Sequence, residues 1–203
     1  NELKTEIFGE IGFEYGVDAL KWLMETNVSY GGISRFIKFE MFFDYLRKKG
    51  VKITQKKSSF IDEKSKDFSS LLESRIEEIQ VDSELIDMLR SVSSKYKLLI
   101  ISGGSSKEIE RILLKNDILQ CFDSIKGNEA SKIQHFQKLT NEMINKSIYF
   151  GDSKYDADVA RQFSVQFLFL FKMTEFTEWR EYCKLHNIKF YPYLKDFLRE
   201  LIK

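Results

Sequence analysis

LLIISGGSSKE, residues 98–108, is the segment from which the fold class can be inferred. Its continuous apolar run, Leu98–Ile101, is typical of a parallel strand that is buried on both faces. The run leads through Ser-Gly-Gly into a helical pattern over residues 106–115. Because a buried strand followed by a helix is the repeating unit of α/β folds, the same order is expected downstream.

The region C-terminal to this stretch continues the pattern. Further strands are predicted at residues 147–150, 165–171 and 188–191, and further helices at 130–142, 155–162, 175–185 and 194–202. Because crossovers between parallel strands are right-handed, the helices are predicted to cover both faces of an open parallel sheet. The predicted fold class of this region is therefore α/β.

The region N-terminal to the stretch is predicted to be almost wholly helical. Apolar residues recur there at spacings of three and four. Gly31-Gly32 interrupts the pattern, and Gly50 is expected to end a helix. We therefore predict a helical domain over residues 10–80, with residues 1–9 and 81–203 forming the α/β core.

The composition argues against several classes of protein. The chain has 203 residues and a formal net charge of +1, so neither a nucleic-acid nor a membrane-surface partner is expected. No apolar run approaches the roughly 20 residues that span a bilayer, and no signal peptide is recognisable. Cys121 and Cys183 lie far apart and in no metal-binding spacing, so a cytoplasmic setting is expected. The oligomeric state stays open.

Polar residues suited to binding phosphate follow the first predicted strand. Ser102, Gly103 and Gly104 place a hydroxyl and unobstructed backbone N–H groups before a helix start. The alternative is a plain strand–helix turn, since Ser105 and Glu108 have the spacing of a capping box. The segment alone does not separate the two interpretations.

A second polar group follows the strand at residues 147–150. Asp152 falls at the carboxyl end of that strand, where a carboxylate is a hard oxygen donor suited to Mg²⁺. Asp156 lies four residues later, near the start of a helix. The alternatives are a turn residue for Asp152 and a capping box formed by Ser153 and Asp156.

Lys132 opens the predicted helix between these two groups. The helix dipole disfavours a lysine in the first turn, and a nearby anion would compensate for this unfavourable interaction. The alternative is a solvated surface lysine. No partner can be read for His135 or His186, so surface or packing roles are favoured for both histidines.

In this order, Ser102, Lys132 and Gly151-Asp152 with Asp156 resemble the second, third and fourth motifs of the haloacid dehalogenase (HAD) superfamily. Residues 31–39 resemble part of the small helical cap of its beta-phosphoglucomutase-like and phosphoglycolate-phosphatase-like branch. The resemblance implies a Rossmann-like open parallel sheet with an inserted helical cap domain. It also implies a Mg²⁺-dependent phosphatase acting on a small phosphorylated metabolite.

The resemblance implies a role for each matching residue. Ser102 and the Gly103 amide would bind phosphate oxygens, and Asp152 would bind Mg²⁺. Lys132 would offset negative charge on the transferring phosphoryl group. Asp156 would orient Lys132 or the water shell of the metal.

The helical region contains two further candidate substrate-binding residues, Arg35 and Lys38. By resemblance to the cap, these cations would contact a second anionic group of the substrate. The alternative is that both are ordinary cations on the surface of a helix.

The first motif of the superfamily, a strand that ends in Asp-x-Asp and carries the nucleophile, has no counterpart in residues 1–203. We expect this motif upstream of Asn1, as the central strand of the sheet. Two alternatives to hydrolysis remain. One is a phosphosugar mutase, because the cap resembles that branch too. The other is a non-catalytic domain that binds a phosphometabolite or a protein, because these residues hold no nucleophile.

Overall fold

The computed structural model describes residues 1–202 and divides the chain into two compact units. The first comprises Asn1–Glu78, and the second begins at Ile79. The first unit is helical, and the second combines helices with parallel strands. The fold is therefore α/β with a helical part, as predicted. No helix within residues 1–202 has the length and apolar character needed to cross a bilayer.

The helical unit has an aromatic core. Within residues 1–78 its elements are α1 (Glu2–Phe13), α2 (Val17–Ser29), α3 (Arg35–Lys48), α4 (Lys57–Ser74) and a 3-10 turn at Ile76–Glu78. Gly31-Gly32 separates α2 from α3, and Gly50 follows the end of α3 with a φ of 81°. Both predicted helix breaks are therefore confirmed. The buried aromatic side chains include Phe8, Phe39, Phe42, Phe60 and Phe68.

Residues 1–9 lie in the helical unit, whereas the sequence prediction assigns them to the α/β core. Helix α1 contains nearly all of them and packs against α2 and α4. Ile7, Phe8 and Ile11 are buried on one face of this helix. Because these apolar side chains follow helical spacing, burying them against neighbouring helices keeps the segment in the helical unit.

The second unit alternates strands and helices. Within residues 79–202 the strands are β1 (Leu99–Ile101), β2 (Ser124–Lys126), β3 (Ile148–Gly151), β4 (Gln166–Leu170) and β5 (Lys189–Tyr191). The α-helices are α5 (Ser83–Ser93), α6 (Ser106–Lys115), α7 (Lys132–Phe136), α8 (Asn141–Asn145), α9 (Lys154–Gln162), α10 (Trp179–Leu185) and α11 (Leu194–Ile202), with a 3-10 turn at Leu119–Cys121.

The strands pair in parallel, but the single predicted sheet is divided in two. Strand β1 pairs with β2, and β3, β4 and β5 pair in that order. Strand β2 escapes prediction because it contains one apolar residue, Ile125. The helix predicted over residues 130–142 is divided into α7 and α8, because Thr140 caps α8 by accepting a hydrogen bond from the Met143 amide.

Helices cover both faces of β1 and β3. Ile100 packs with side chains of α5, α6 and α11, whereas Ile101 packs with side chains of α7, α8 and α9. In β3, Tyr149 packs against α7 and Phe150 against α11. Since successive strand residues point to opposite faces, these contacts define one helical layer on each side and confirm the prediction.

Candidate functional site

The loops after β1 and β2 lie against each other at the carboxyl edge of their sheet. The Asn128 amide donates to the Gly104 carbonyl at 2.8 Å, and the Ser102 amide donates to the Lys126 carbonyl at 2.8 Å. Gly127 leaves no room for a side chain, because a Cβ there would lie 2.3 Å from the Ser106 nitrogen. The loop that leads to Lys132 is therefore seated on the loop that contains Ser102 and Gly103.

Ser102 and Gly103 are partly exposed at the end of β1. The Ser102 hydroxyl accepts a hydrogen bond from the Gly104 amide at 3.0 Å, which holds the loop in a tight turn. The capping interaction considered for Ser105 is not formed, since its side chain makes no cap hydrogen bond to α6 within the described residues. The phosphate-binding role of Ser102 and Gly103 stays a prediction.

Lys132 is the first residue of α7, and a capping box sets the start of this helix. The Ser131 hydroxyl accepts from the Gln134 amide, and the Gln134 side chain accepts from the Ser131 amide. Lys132 is only 7% exposed, and its Nζ donates a hydrogen bond to Asp156 Oδ1. Lys132 is therefore not a solvated surface lysine, and Asp156 is the nearby anion that offsets the unfavourable helix dipole.

Asp156 is 2% exposed and accepts hydrogen bonds on both carboxylate oxygens. Lys132 Nζ and Tyr149 Oη donate to Oδ1, and Ser153 Oγ donates to Oδ2 at 2.7 Å. Burial alone would raise the pKa of the Asp156 carboxyl, but the Lys132 ammonium and the three hydrogen bonds outweigh it and hold this pKa below its usual value. Asp156 is therefore an anion at neutral pH.

The Ser153 hydroxyl also caps helix α9. It accepts a hydrogen bond from the Asp156 amide at 3.1 Å. The capping interpretation of Ser153 and Asp156 is therefore correct as a local description. It does not compete with a functional one, because the same carboxylate also holds Lys132.

Asp152 follows the last residue of β3 and is partly exposed. A single carboxylate can bind Mg²⁺ when water or substrate oxygens complete the coordination. Within residues 1–202, no group of three or more His, Cys, Asp or Glu side chains is placed to hold a metal. Both oxygens of Asp156 are engaged in hydrogen bonds to neighbouring side chains, so Asp152 is the candidate metal ligand of these two aspartates.

Arg35 and Lys38 are buried in the helical unit rather than exposed on a helix surface. Arg35 Nη1 donates to Ser69 Oγ at 3.3 Å, and Lys38 Nζ donates to Asn27 Oδ1 at 2.6 Å. These contacts give both cations a part in packing α3 against its neighbours. Their substrate-binding role stays a prediction.

Two residues of the site have no signal in the sequence. In the sequence, Tyr149 resembles one more apolar residue of a strand. In the structure, its Oη lies 2.5 Å from Asp156 Oδ1. His135 is 5% exposed, and its Nε2 lies 2.8 Å from the Gly127 carbonyl oxygen, so it holds the loop before Lys132. Their partners are 7 and 8 residues away in sequence, across turns whose geometry the sequence does not display.

Comparison with solved structures gives distant relatives. The haloacid dehalogenase-like family hydrolase SP0104 from Streptococcus pneumoniae is 22% identical, with a TM-score of 0.47 over 79% of this chain and 77% of that one. The HAD-hydrolase YfnB from Bacillus subtilis, solved bound to magnesium, is 14% identical, with a TM-score of 0.51 over 93% of this chain and 83% of that one. At this identity, the similarity to YfnB shows a shared fold.

Sequence comparison identifies the family. No curated protein matches the chain. The family model described as haloacid dehalogenase-like hydrolase matches residues 28–170, which is more than half of the chain. The predicted resemblance to the HAD superfamily is thereby confirmed, while the cap branch stays a prediction. The chain belongs to the haloacid dehalogenase-like hydrolase family.

Proposed function

We propose that the protein is a Mg²⁺-dependent phosphatase that hydrolyses a small phosphorylated metabolite through an aspartyl-phosphate intermediate. The observation that carries the proposal is the buried Lys132–Asp156 pair. The loop that leads to Lys132 is seated on the Ser102–Gly104 turn, and Asp156 follows Asp152 in the β3–α9 segment. A buried lysine that follows a loop seated on a turn rich in backbone N–H groups suits a phosphoryl group.

The side chains of this chain would act mainly by electrostatic positioning. The Ser102 hydroxyl and the Gly103 amide would donate to phosphate oxygens. The Lys132 ammonium would offset the negative charge that concentrates where the phosphoryl group is transferred. Because Lys132 is almost fully buried, water screens its charge little, and its effect on a nearby phosphate is correspondingly large. Asp156 would hold the ammonium in place.

Asp152 would hold the magnesium ion. When bound, Mg²⁺ neutralises phosphate charge and orients the phosphoryl oxygens. The chemistry of the donor fits, since a partly exposed carboxylate at the end of a strand is a hard oxygen ligand that leaves coordination positions for water and substrate. The magnesium-bound structure of the relative YfnB agrees with this choice of ion.

The proposal requires an aspartate nucleophile from an Asp-x-Asp segment outside residues 1–203. This aspartate would attack phosphorus while the second aspartate of the segment protonates the oxygen of the leaving alcohol. The second aspartate would then take a proton from the water that cleaves the aspartyl-phosphate. The residues described above would serve both steps, because each step concentrates negative charge on the same phosphoryl group. A cytoplasmic location is part of the proposal and rests on composition.

The test is a phosphate-release assay on the full-length protein with a panel of sugar phosphates, phosphoglycolate and nucleotides. We expect release that depends on Mg²⁺ and is abolished in Asp152→Asn. The control is Asp158→Asn, an equivalent change on α9 at a residue that pairs with Arg161 instead. Full activity of Asp152→Asn would remove the metal assignment.

Two other outcomes would replace the proposal. Isomerised sugar phosphate without released phosphate would make the protein a phosphosugar mutase. Binding of phosphometabolites without any turnover, in a protein that includes an Asp-x-Asp segment, would make it a non-catalytic binding domain.

A further inference from the structure

We propose that Tyr149 is a positioning residue of the site, whose hydroxyl holds the Asp156 carboxylate in the orientation that fixes Lys132. The inference rests on the proposed function, since Lys132 is the group that would meet the phosphoryl oxygens. Tyr149 itself would touch neither substrate nor metal, and it would act through Asp156.

The contacts of Asp156 come from three separate elements. Lys132 reaches it from the start of α7, Tyr149 from β3, and Ser153 from the start of α9. Two of these donors share Oδ1, so the ammonium and the phenol set the direction of that oxygen together. A carboxylate with donors on both oxygens cannot rotate about its Cβ–Cγ bond without breaking hydrogen bonds. Tyr149 is the only one of the three donors that a strand supplies.

The ring of Tyr149 is itself held in place. It meets the ring of Phe136 edge-on at 5.1 Å between centroids, and the ring of Phe167 at 5.6 Å. Phe136 lies four residues after Lys132 on α7, so Tyr149 contacts this helix with its ring and Asp156 with its hydroxyl. It therefore joins the helix that carries Lys132 to the residue that orients Lys132.

Gly151 leaves the space that this arrangement needs. Gly151 and Tyr149 are two residues apart in β3 and so point to the same face of the strand. A Cβ at Gly151 would lie 2.5 Å from the Asp156 Cβ. Asp156 can pack closely over the strand beside the phenol because this position carries no side chain.

The test is the variant Tyr149→Phe, which removes the hydroxyl and keeps the ring packing, so the fold is retained. The matched control is Tyr182→Phe. Tyr182 Oη donates to Asp158 Oδ1 at 2.8 Å, a tyrosine–aspartate bond made to the same helix two residues beyond Asp156 and away from Lys132. Both variants lose one phenol–carboxylate hydrogen bond, and only one of those bonds orients Lys132.

Two readouts separate positioning from general stability. In the active full-length protein, kcat of Tyr149→Phe should fall by roughly tenfold, equivalent to about 1.4 kcal/mol, with KM little changed. In the same full-length protein without substrate, acetylation of Lys132 by acetic anhydride should become faster relative to the other lysines. Tyr182→Phe should match the wild-type protein in both measurements.

The outcomes are distinct. Faster labelling of Lys132 in Tyr149→Phe supports the positioning role even where no phosphatase activity is found, so a failure of the proposed function is recognised separately. Unchanged relative labelling of Lys132 overturns the inference, as does a kcat equal to that of the wild-type protein. Equal effects of Tyr149→Phe and Tyr182→Phe also overturn it, because they would reflect stability alone.

Discussion

Replacing Lys132 by methionine would break the buried ion pair at the centre of the site. Methionine keeps most of the side-chain length and removes the charge, which leaves the Asp156 carboxylate buried with the neutral donors of Tyr149 and Ser153. Removing one partner of a buried ion pair destabilises a protein by about 3–5 kcal/mol. In a chain of 203 residues, this corresponds to a fall in Tm of roughly 10 °C.

The loss of stability in Lys132→Met should depend on pH. In the wild-type protein the Asp156 pKa lies below its usual value of 3.8, so its stabilising contribution is complete above that value and is lost as the pH falls through the lowered pKa. In Lys132→Met, burial acts without the opposing ammonium and disfavours the charged carboxylate. The destabilisation should therefore be largest at about pH 7 and shrink as the pH falls, because the buried Asp156 of the variant takes up a proton at a higher pH than that of the wild-type protein.

The assay is urea denaturation followed by the fluorescence of Trp179, which lies in the same unit as the ion pair. A Trp22→Phe background removes the second tryptophan, and phenylalanine at this position can keep the stacking on Tyr45. The difference in free energy of unfolding between this background and its Lys132→Met derivative is measured across the pH range.

The single variant Asp156→Asn and the double variant Lys132→Met/Asp156→Asn complete a double-mutant cycle. Because the double variant removes both charges, it should be less destabilised than the sum of the two single variants. A Lys132→Met protein within about 0.5 kcal/mol of the background at neutral pH would refute the reasoning, since it would mean that the pair is not buried. Additive single effects would refute it as well.

Two further predictions concern packing. Gly127→Ala should destabilise the protein by about 1–3 kcal/mol, because its Cβ would lie 2.3 Å from the Ser106 backbone nitrogen. In the control Gly104→Ala the nearest neighbour of the new Cβ lies at 3.5 Å, so the free energy of unfolding should change by less than about 0.5 kcal/mol. Equal effects of the two variants in urea denaturation would contradict the described loop contact. Cys121 and Cys183 are both buried, and burial raises the pKa of the Cys183 thiol to about 11. Neither thiol should therefore react with Ellman's reagent at about pH 8 until the protein unfolds. Rapid reaction of either thiol in the folded protein would show that it is exposed.

Much of the α/β unit can be predicted from sequence because its elements are encoded locally. The apolar runs around Ile100 and Tyr149 mark buried strands wherever they lie in the fold, and β1 and β3 begin within one residue of the predicted positions. Strand β2 carries too little apolar sequence to be recognised. It forms because it can pair with β1, whose paired residues lie 25 positions earlier in the chain.

The candidate site was accessible to sequence only as a set of residue types at strand ends. Lys132, Asp152 and Asp156 stand out because of their positions, but sequence does not show whether a lysine is buried or what it contacts. For Arg35 and Lys38, charge suggests exposure, whereas the structure buries both among helices. Burial of a long cation depends on the partners that the fold supplies.

The α/β class, the helical region and the approximate position of most elements follow from periodicity within short windows of the sequence. The family motifs follow instead from a resemblance in residue type, spacing and order. Only the tertiary structure decided that Lys132, Tyr149 and Ser153 converge on Asp156. Their convergence depends on how β3 and the starts of α7 and α9 are placed in space. Hydrogen bonds act over about 3 Å, and no local sequence pattern specifies distances between separate elements to that precision.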